Sequence, residues 1–195
     1  VIAVLDSGVD NEHFSLDDFS DNNNDNEKQP DDLSDPKWLA GCDATSWNSQ
    51  ECNDGEFDPD DGNGHGTHVA GIALGTGDSR RVNQGYAPGS YLVDVKVMTD
   101  SGGSAGGDEG PIIKGLQWVL QNVNTDWGNN DSSEGIDVMT MSFGSGSSPV
   151  GENDQGDDGN NSAARLVNNC AEAGIVPIAA IGNDGSNRVT SVGAA

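Results

Sequence analysis

Apolar residues in this chain fall into short unbroken runs that alternate with segments of helical spacing. Val1-Ile2-Ala3-Val4-Leu5 is closed by Asp-Ser-Gly and predicts a buried strand of a parallel sheet. Residues 10–63 are polar, acidic and Asn-rich with little periodicity, and predict a long loop or insertion. His65 to Leu74 predicts a first helix, with Val69, Ala70, Ile72 and Ala73 as its apolar contacts. Tyr91 to Val97 reads as a second strand. Gly110 to Val123 reads as a second helix, with Ile112, Ile113, Leu116, Val119, Leu120 and Val123 at helical spacing. Ile136 to Met141 is a third strand, and Ser162 to Ala173 a third helix ended by Gly174. Ile175 to Ala180 and the short Val189 to Val192 complete the set. Such alternation predicts an α/β fold, a parallel sheet with helices on both faces and right-handed crossovers. Ligands of such sheets bind beyond the carboxyl ends of the strands. Asp6, Ser142 and Asn183 each follow a strand there, so three polar residues are expected at one sheet edge.

Composition narrows the function classes. The 195 residues fit one domain, with an acidic insertion at about residues 15–60. The net charge of −25 disfavours nucleic acid and anionic membranes as partners. It suits calcium binding or solubility in high salt. No apolar run approaches the ~18 residues of a membrane span. Because the chain opens inside a strand and closes on apolar Val-Gly-Ala-Ala, the expectation is an internal piece of a longer polypeptide. Cys42 and Cys52 flank a short polar loop, and a disulfide there would point to an oxidising, extracellular setting. Their spacing is not that of a zinc knuckle. Cys170 lies on the apolar face of a helix, as a buried thiol would.

The candidate chemistry is carried by Asp6-Ser7-Gly8 and by Gly64-His65-Gly66-Thr67-His68-Val69-Ala70-Gly71. A buried carboxylate can orient a histidine, which then takes a proton from a serine hydroxyl. Asp6 suits the first role and His65 the second. Taken singly, Asp6 could cap a turn, His65 could be structural and Asn183 could sit in a turn. A zinc pair from His65 and His68 lacks the His-Glu-x-x-His spacing.

With Ala179-Ala180-Ile181-Gly182-Asn183-Asp184-Gly185 further on, these motifs in this order closely resemble the subtilase family of serine proteases. The resemblance covers nearly the whole chain outside the acidic insertion. It implies a subtilisin-like three-layer fold and a serine endopeptidase acting on polypeptides. Asp6 would be the triad carboxylate, His65 the general base and Asn183 the oxyanion donor. His68 would be a packed, structural histidine. Ser142, Phe143 and Gly144 resemble the strand lining the primary specificity pocket, and Ala180, Ile181 and Gly182 its wall. Gly102 and Gly103, within Ser101-Gly102-Gly103-Ser104, resemble the opposite substrate-binding edge. The serine motif is absent from these residues and is expected in sequence beyond Ala195, so this piece alone should be inactive. Two departures stand out: the Asp6–His65 separation is wide, and the segment after Asn183 is short.

The insertion suggests a structural calcium site. Asp21, Asn23, Asp25 and Glu27 alternate, and Asp32 takes the twelfth place of such a loop. A solvated acidic loop is the alternative, and Asp54, Asp58, Asp60 and Asp61 form a weaker cluster. The acidic stretch Glu152 to Asp158 could attract basic peptides. The leading expectation is a secreted, monomeric endopeptidase. A relative that has lost its serine, or an acidic calcium-dependent extracellular module, are the other classes.

Overall fold

A computed structural model describes residues 1–16, 37–46, 52, 57–77, 80, 82–101, 104–127, 135–144 and 160–180. In chain order the elements are β1 (Ile2–Asp6), β2 (Trp38–Asp43), α1 (His65–Leu74), β3 (Leu92–Lys96), β4 (Thr99–Ser101), β5 (Ser104–Gly106), α2 (Glu109–Gln121), β6 (Val138–Met141), α3 (Ser162–Glu172) and β7 (Val176–Ala179). Five strands form one parallel sheet in the order β2-β3-β1-β6-β7. After β1 the chain places β2 at one edge, returns to set β3 between β2 and β1, then crosses to add β6 and β7 on the other side. That reversal makes the carboxyl end of β1 a topological switch point, where α/β sheets bind ligands.

Side-chain alternation sorts each strand between two cores. Ala3, Leu5, Val93, Val95, Met139 and Met141 face Leu116, Trp118 and Val119 of α2 and Cys170 of α3. Ile2, Val4 and Leu92 face Ala70 and Leu74 of α1. The helices therefore lie on both faces, α1 alone against α2 and α3 among the described residues.

The expected strands and helices that fall within described residues form, with ends moved by one or two positions. Two expectations are corrected. Residues 10–63 are not loop throughout, because β2 pairs along β3 from Trp38 to Asp43. The alternation in Trp-Leu-Ala-Gly-Cys-Asp is too short and too weakly apolar to stand out from an acidic context. The apolar face of α1 is Gly66, Ala70 and Leu74, whereas Ile72 is exposed. Glycine and alanine let this helix lie close to the sheet, so its most hydrophobic residue is not its most buried. The expected strand at Val189 to Val192 lies outside the described residues.

Cys42 and Cys52 form a disulfide. Both sit in the core shared with α2 and α3. Lys114 of α2 donates to the carbonyls of Asp43 and Ser46, tying that helix to the end of β2.

Candidate active site

The turn after β1 and the start of α1 meet at the switch point. Asp6 is fully buried, and its Oδ1 lies 2.7 Å from His65 Nδ1. The same oxygen accepts from the backbone N–H of Ser7 at 2.8 Å. A carboxylate only accepts, so Nδ1 carries the proton and Nε2 is left free as a base. His65 keeps 44% of its side-chain surface exposed, so that base can be reached. Burial raises the Asp6 pKa, with the bonds from His65 and Ser7 opposing the rise. Among the described residues Asp6 Oδ2 has no partner. Such an oxygen gains from any charge that develops on the imidazole.

A network holds the two halves together. Asp61 accepts from the N–H groups of Asn63 and Gly64 and from Ser7 Oγ through Oδ1. Its Oδ2 accepts from the N–H and the hydroxyl of Thr67. The Gly64 and Thr67 N–H groups lie in the first turn of α1 without a helical partner, so Asp61 caps the helix that starts with His65. Burial raises the Asp61 carboxyl, but the bonds from Thr67, Gly64 and Asn63 outweigh it and leave its pKa below the ordinary value. Ser7 Oγ accepts from Gly66 N, and Thr67 Oγ1 from Asp10 N. Gly8 has φ +102°, and a Cβ there would overlap the backbone of Asp60. A Cβ at Gly66 would overlap the carbonyl of Gly8.

Strand β3 and the residues just after it hold the turn from the other side. Val97 N and Met98 N donate to the carbonyl of Asp6, at 2.8 and 3.1 Å. Asp94 Oδ2 accepts from Val9 N at 2.8 Å. Lys96 donates to the carbonyl of Asp60 and to Asp100. Ser7, Asp61, Thr67 and Asp94 do not stand out in the sequence as parts of this site. A usable signal did exist for Asp94, a carboxylate between Val93 and Val95 in a buried strand.

Ser142, Phe143 and Gly144 follow β6 at the same sheet edge, and Ala180 N donates to the carbonyl of Met141. Phe143 packs against the core on the α2 side. Gly102, Gly103, Ile181, Gly182 and Asn183 lie outside the described residues. So do Asp21, Asn23, Asp25, Glu27 and Asp32, and the segment from Glu152 to Asp158. Among the described residues no three His, Cys, Asp or Glu side chains gather as a metal site. His68 is exposed, which corrects the expectation that it is packed. It is two positions before buried Ala70, and so points away from the sheet.

The Subtilase family profile matches residues 1–195. The chain belongs to the subtilase family. This subtilase is 35% identical to subtilisin DY of Bacillus licheniformis over 133 residues, 68% of this chain and 39% of that protein. It is 32% identical to the subtilisin of Bacillus pumilus over 190 residues, 97% of this chain and 50% of that protein. The chain thus spans half or less of these relatives. The CspB protease of Clostridium perfringens shares the fold, with a TM-score of 0.61 and 21% identity over 95% of this chain and 36% of that one. Asp6 and His65 stand in the motifs that carried the family resemblance.

Proposed function

We propose that this subtilase supplies the acid–base half of a serine endopeptidase. The observation that carries the reading is the 2.7 Å contact of buried Asp6 with His65 at the switch point of the sheet. In this mechanism Asp6 holds His65 in the tautomer that leaves Nε2 unprotonated. His65 takes the proton of a serine hydroxyl as that oxygen attacks the scissile carbonyl. The imidazolium, stabilised by Asp6, returns the proton to the leaving amine. Water then hydrolyses the acyl-enzyme by the same steps. Asn183 is proposed as the donor to the developing oxyanion. Ser142, Phe143, Gly144, Ala180, Ile181 and Gly182 would line the primary pocket, with Gly102 and Gly103 on the opposite edge. The serine is proposed to lie in a segment of the protein outside these 195 residues.

Exposed apolar side chains support a partner segment. Ile72 on α1 and Val176 and Ile178 on β7 are each more than half exposed, at 53%, 55% and 52%. Polypeptide is the proposed substrate, the protein acts as a monomer, and its disulfide favours an extracellular location. Calcium, if bound by Asp21, Asn23, Asp25, Glu27 and Asp32, would brace the insertion and take no part in the chemistry.

The test uses the full-length protein, a fluorophosphonate probe and a peptide substrate. We expect the probe to label one serine and His65→Ala to abolish both labelling and hydrolysis. Asp6→Asn should lower kcat by about 10⁴-fold, the size of that change in a serine protease of another fold. Asn183→Ala should cost roughly 10²–10³-fold, the range that belongs to subtilisin's own oxyanion asparagine. A folded full-length protein that neither labels nor hydrolyses is a non-catalytic relative, and the proposal falls.

A further inference from the structure

The Asp6–His65 contact depends on a four-residue turn whose two ends are held by β3 and by the two residues that follow it. At the near end, Val97 and Met98 donate to the Asp6 carbonyl. At the far end the holder is a side chain, the carboxyl of Asp94, which accepts from Val9 N. Asp94 is paired in register with Val4, two residues before Asp6 on the adjacent strand. Its side chain therefore lies on the same face of the sheet as that of Asp6. Val9 and Asp94 are both fully buried. A purely carbon side chain at position 94 would leave the Val9 N–H without this acceptor in a site closed to water.

We propose that Asp94 is a positioning residue for the Asp6–His65 pair, its buried carboxyl fixing the turn that presents Asp6 to the imidazole. The inference rests on the protease reading above. The charges that act on Asp94 are Lys96 on its own strand and Asp58 and Asp61 before α1, with Asp6 on the same face of the neighbouring β1. Burial pushes the Asp94 carboxyl well above the ordinary range. Asp58 and Asp61 add to the rise, while the Val9 bond and Lys96 oppose it. The role asked of residue 94 is that of an acceptor for the Val9 N–H, which an amide oxygen can also fill.

The experiment compares Asp94→Asn and Asp94→Leu in the full-length protein, with Asp6→Ala as reference. Asparagine should hold kcat within about threefold. Leucine, of similar bulk but without an acceptor, should lower kcat roughly 10- to 100-fold, the scale of a misplaced catalytic group, with KM within about twofold. The acid limb of its kcat/KM profile should move as well. A leucine variant with wild-type kcat and pH profile overturns the inference. Equal losses in both variants with the pH profile unmoved also overturn it, since that is a structural role alone. Should the leucine variant not fold, hydrogen exchange of the wild-type protein decides. A Val9 amide protected like those of β1 supports the tether, and one exchanging at loop rates refutes it. If Asp6→Ala leaves hydrolysis intact, it is the protease reading that has failed, not the tether.

Discussion

Asp61 shows how much of this site is built by residues outside the Asp6–His65 pair. It accepts five hydrogen bonds, from Ser7, Asn63, Gly64 and twice from Thr67. Removing the carboxylate in Asp61→Ala should cost about 2 kcal/mol of stability, at the upper end for a helix cap. The deficit should depend on pH in a defined direction. The folded-state pKa of Asp61 lies below its ordinary 3.8. Its contribution is therefore complete above that ordinary value and is lost as pH falls through the depressed one. Thermal melts of the two proteins should differ most near neutral pH and converge in acid. A constant gap down to the lowest pH would show that the carboxylate charge is not what Asp61 contributes. At this scale the sequence was legible where residue type alone implies a task. Asp6 and His65 were, because an acid and an imidazole in those motifs are expected to pair, and the structure brings them to 2.7 Å. Asp61 was legible only as an acidic residue, since helix capping depends on where Ser7 and Thr67 come to lie.

At the scale of elements, the apolar pattern revealed β1, β3, β6, β7 and the three helices among the described residues. It did not reveal β2, whose Leu39 and Asp43 are only partly buried at the sheet edge. Nor did it reveal the β4–β5 hairpin, whose residues are mostly small or polar. Edge strands are fixed by pairing with a neighbour, and that information is not local in sequence. What secures β2 is partly covalent. The Cys42–Cys52 bond spans a separation of ten residues, and closing a loop of that length is worth about 2.5–3 kcal/mol of unfolded-state entropy. Reduction, or the Cys42→Ser, Cys52→Ser pair, should lower the unfolding free energy obtained from urea titration by a matching amount. The Asp6–His65 contact should survive, because β3 and not β2 holds the turn. Loss of that contact on reduction, seen in the imidazole resonances of His65, would show that β2 is coupled to the site after all.

The whole molecule carries a net charge of −25, and the self-repulsion of that charge opposes compaction at low ionic strength. Raising sodium chloride from about 0.05 to 0.5 M should therefore raise the Tm by screening. Calcium at matched ionic strength should raise it further if the insertion binds the ion. A Tm indifferent to both would rule out the repulsion argument and the calcium site together. The geometry around Gly8 and Gly66 carries a consequence for descent. Neither position accepts a Cβ, since one side chain would run into Asp60 and the other into the Gly8 carbonyl. Asp-Ser-Gly and His-Gly-Thr are thus written partly by packing, and selection for a stable fold alone would retain their glycines, serine and threonine. A lineage that had abandoned proteolysis would go on spelling most of both motifs. The letters free to drift first in it would be Asp6 and His65, and those two positions are the ones to compare when activity is inferred across relatives.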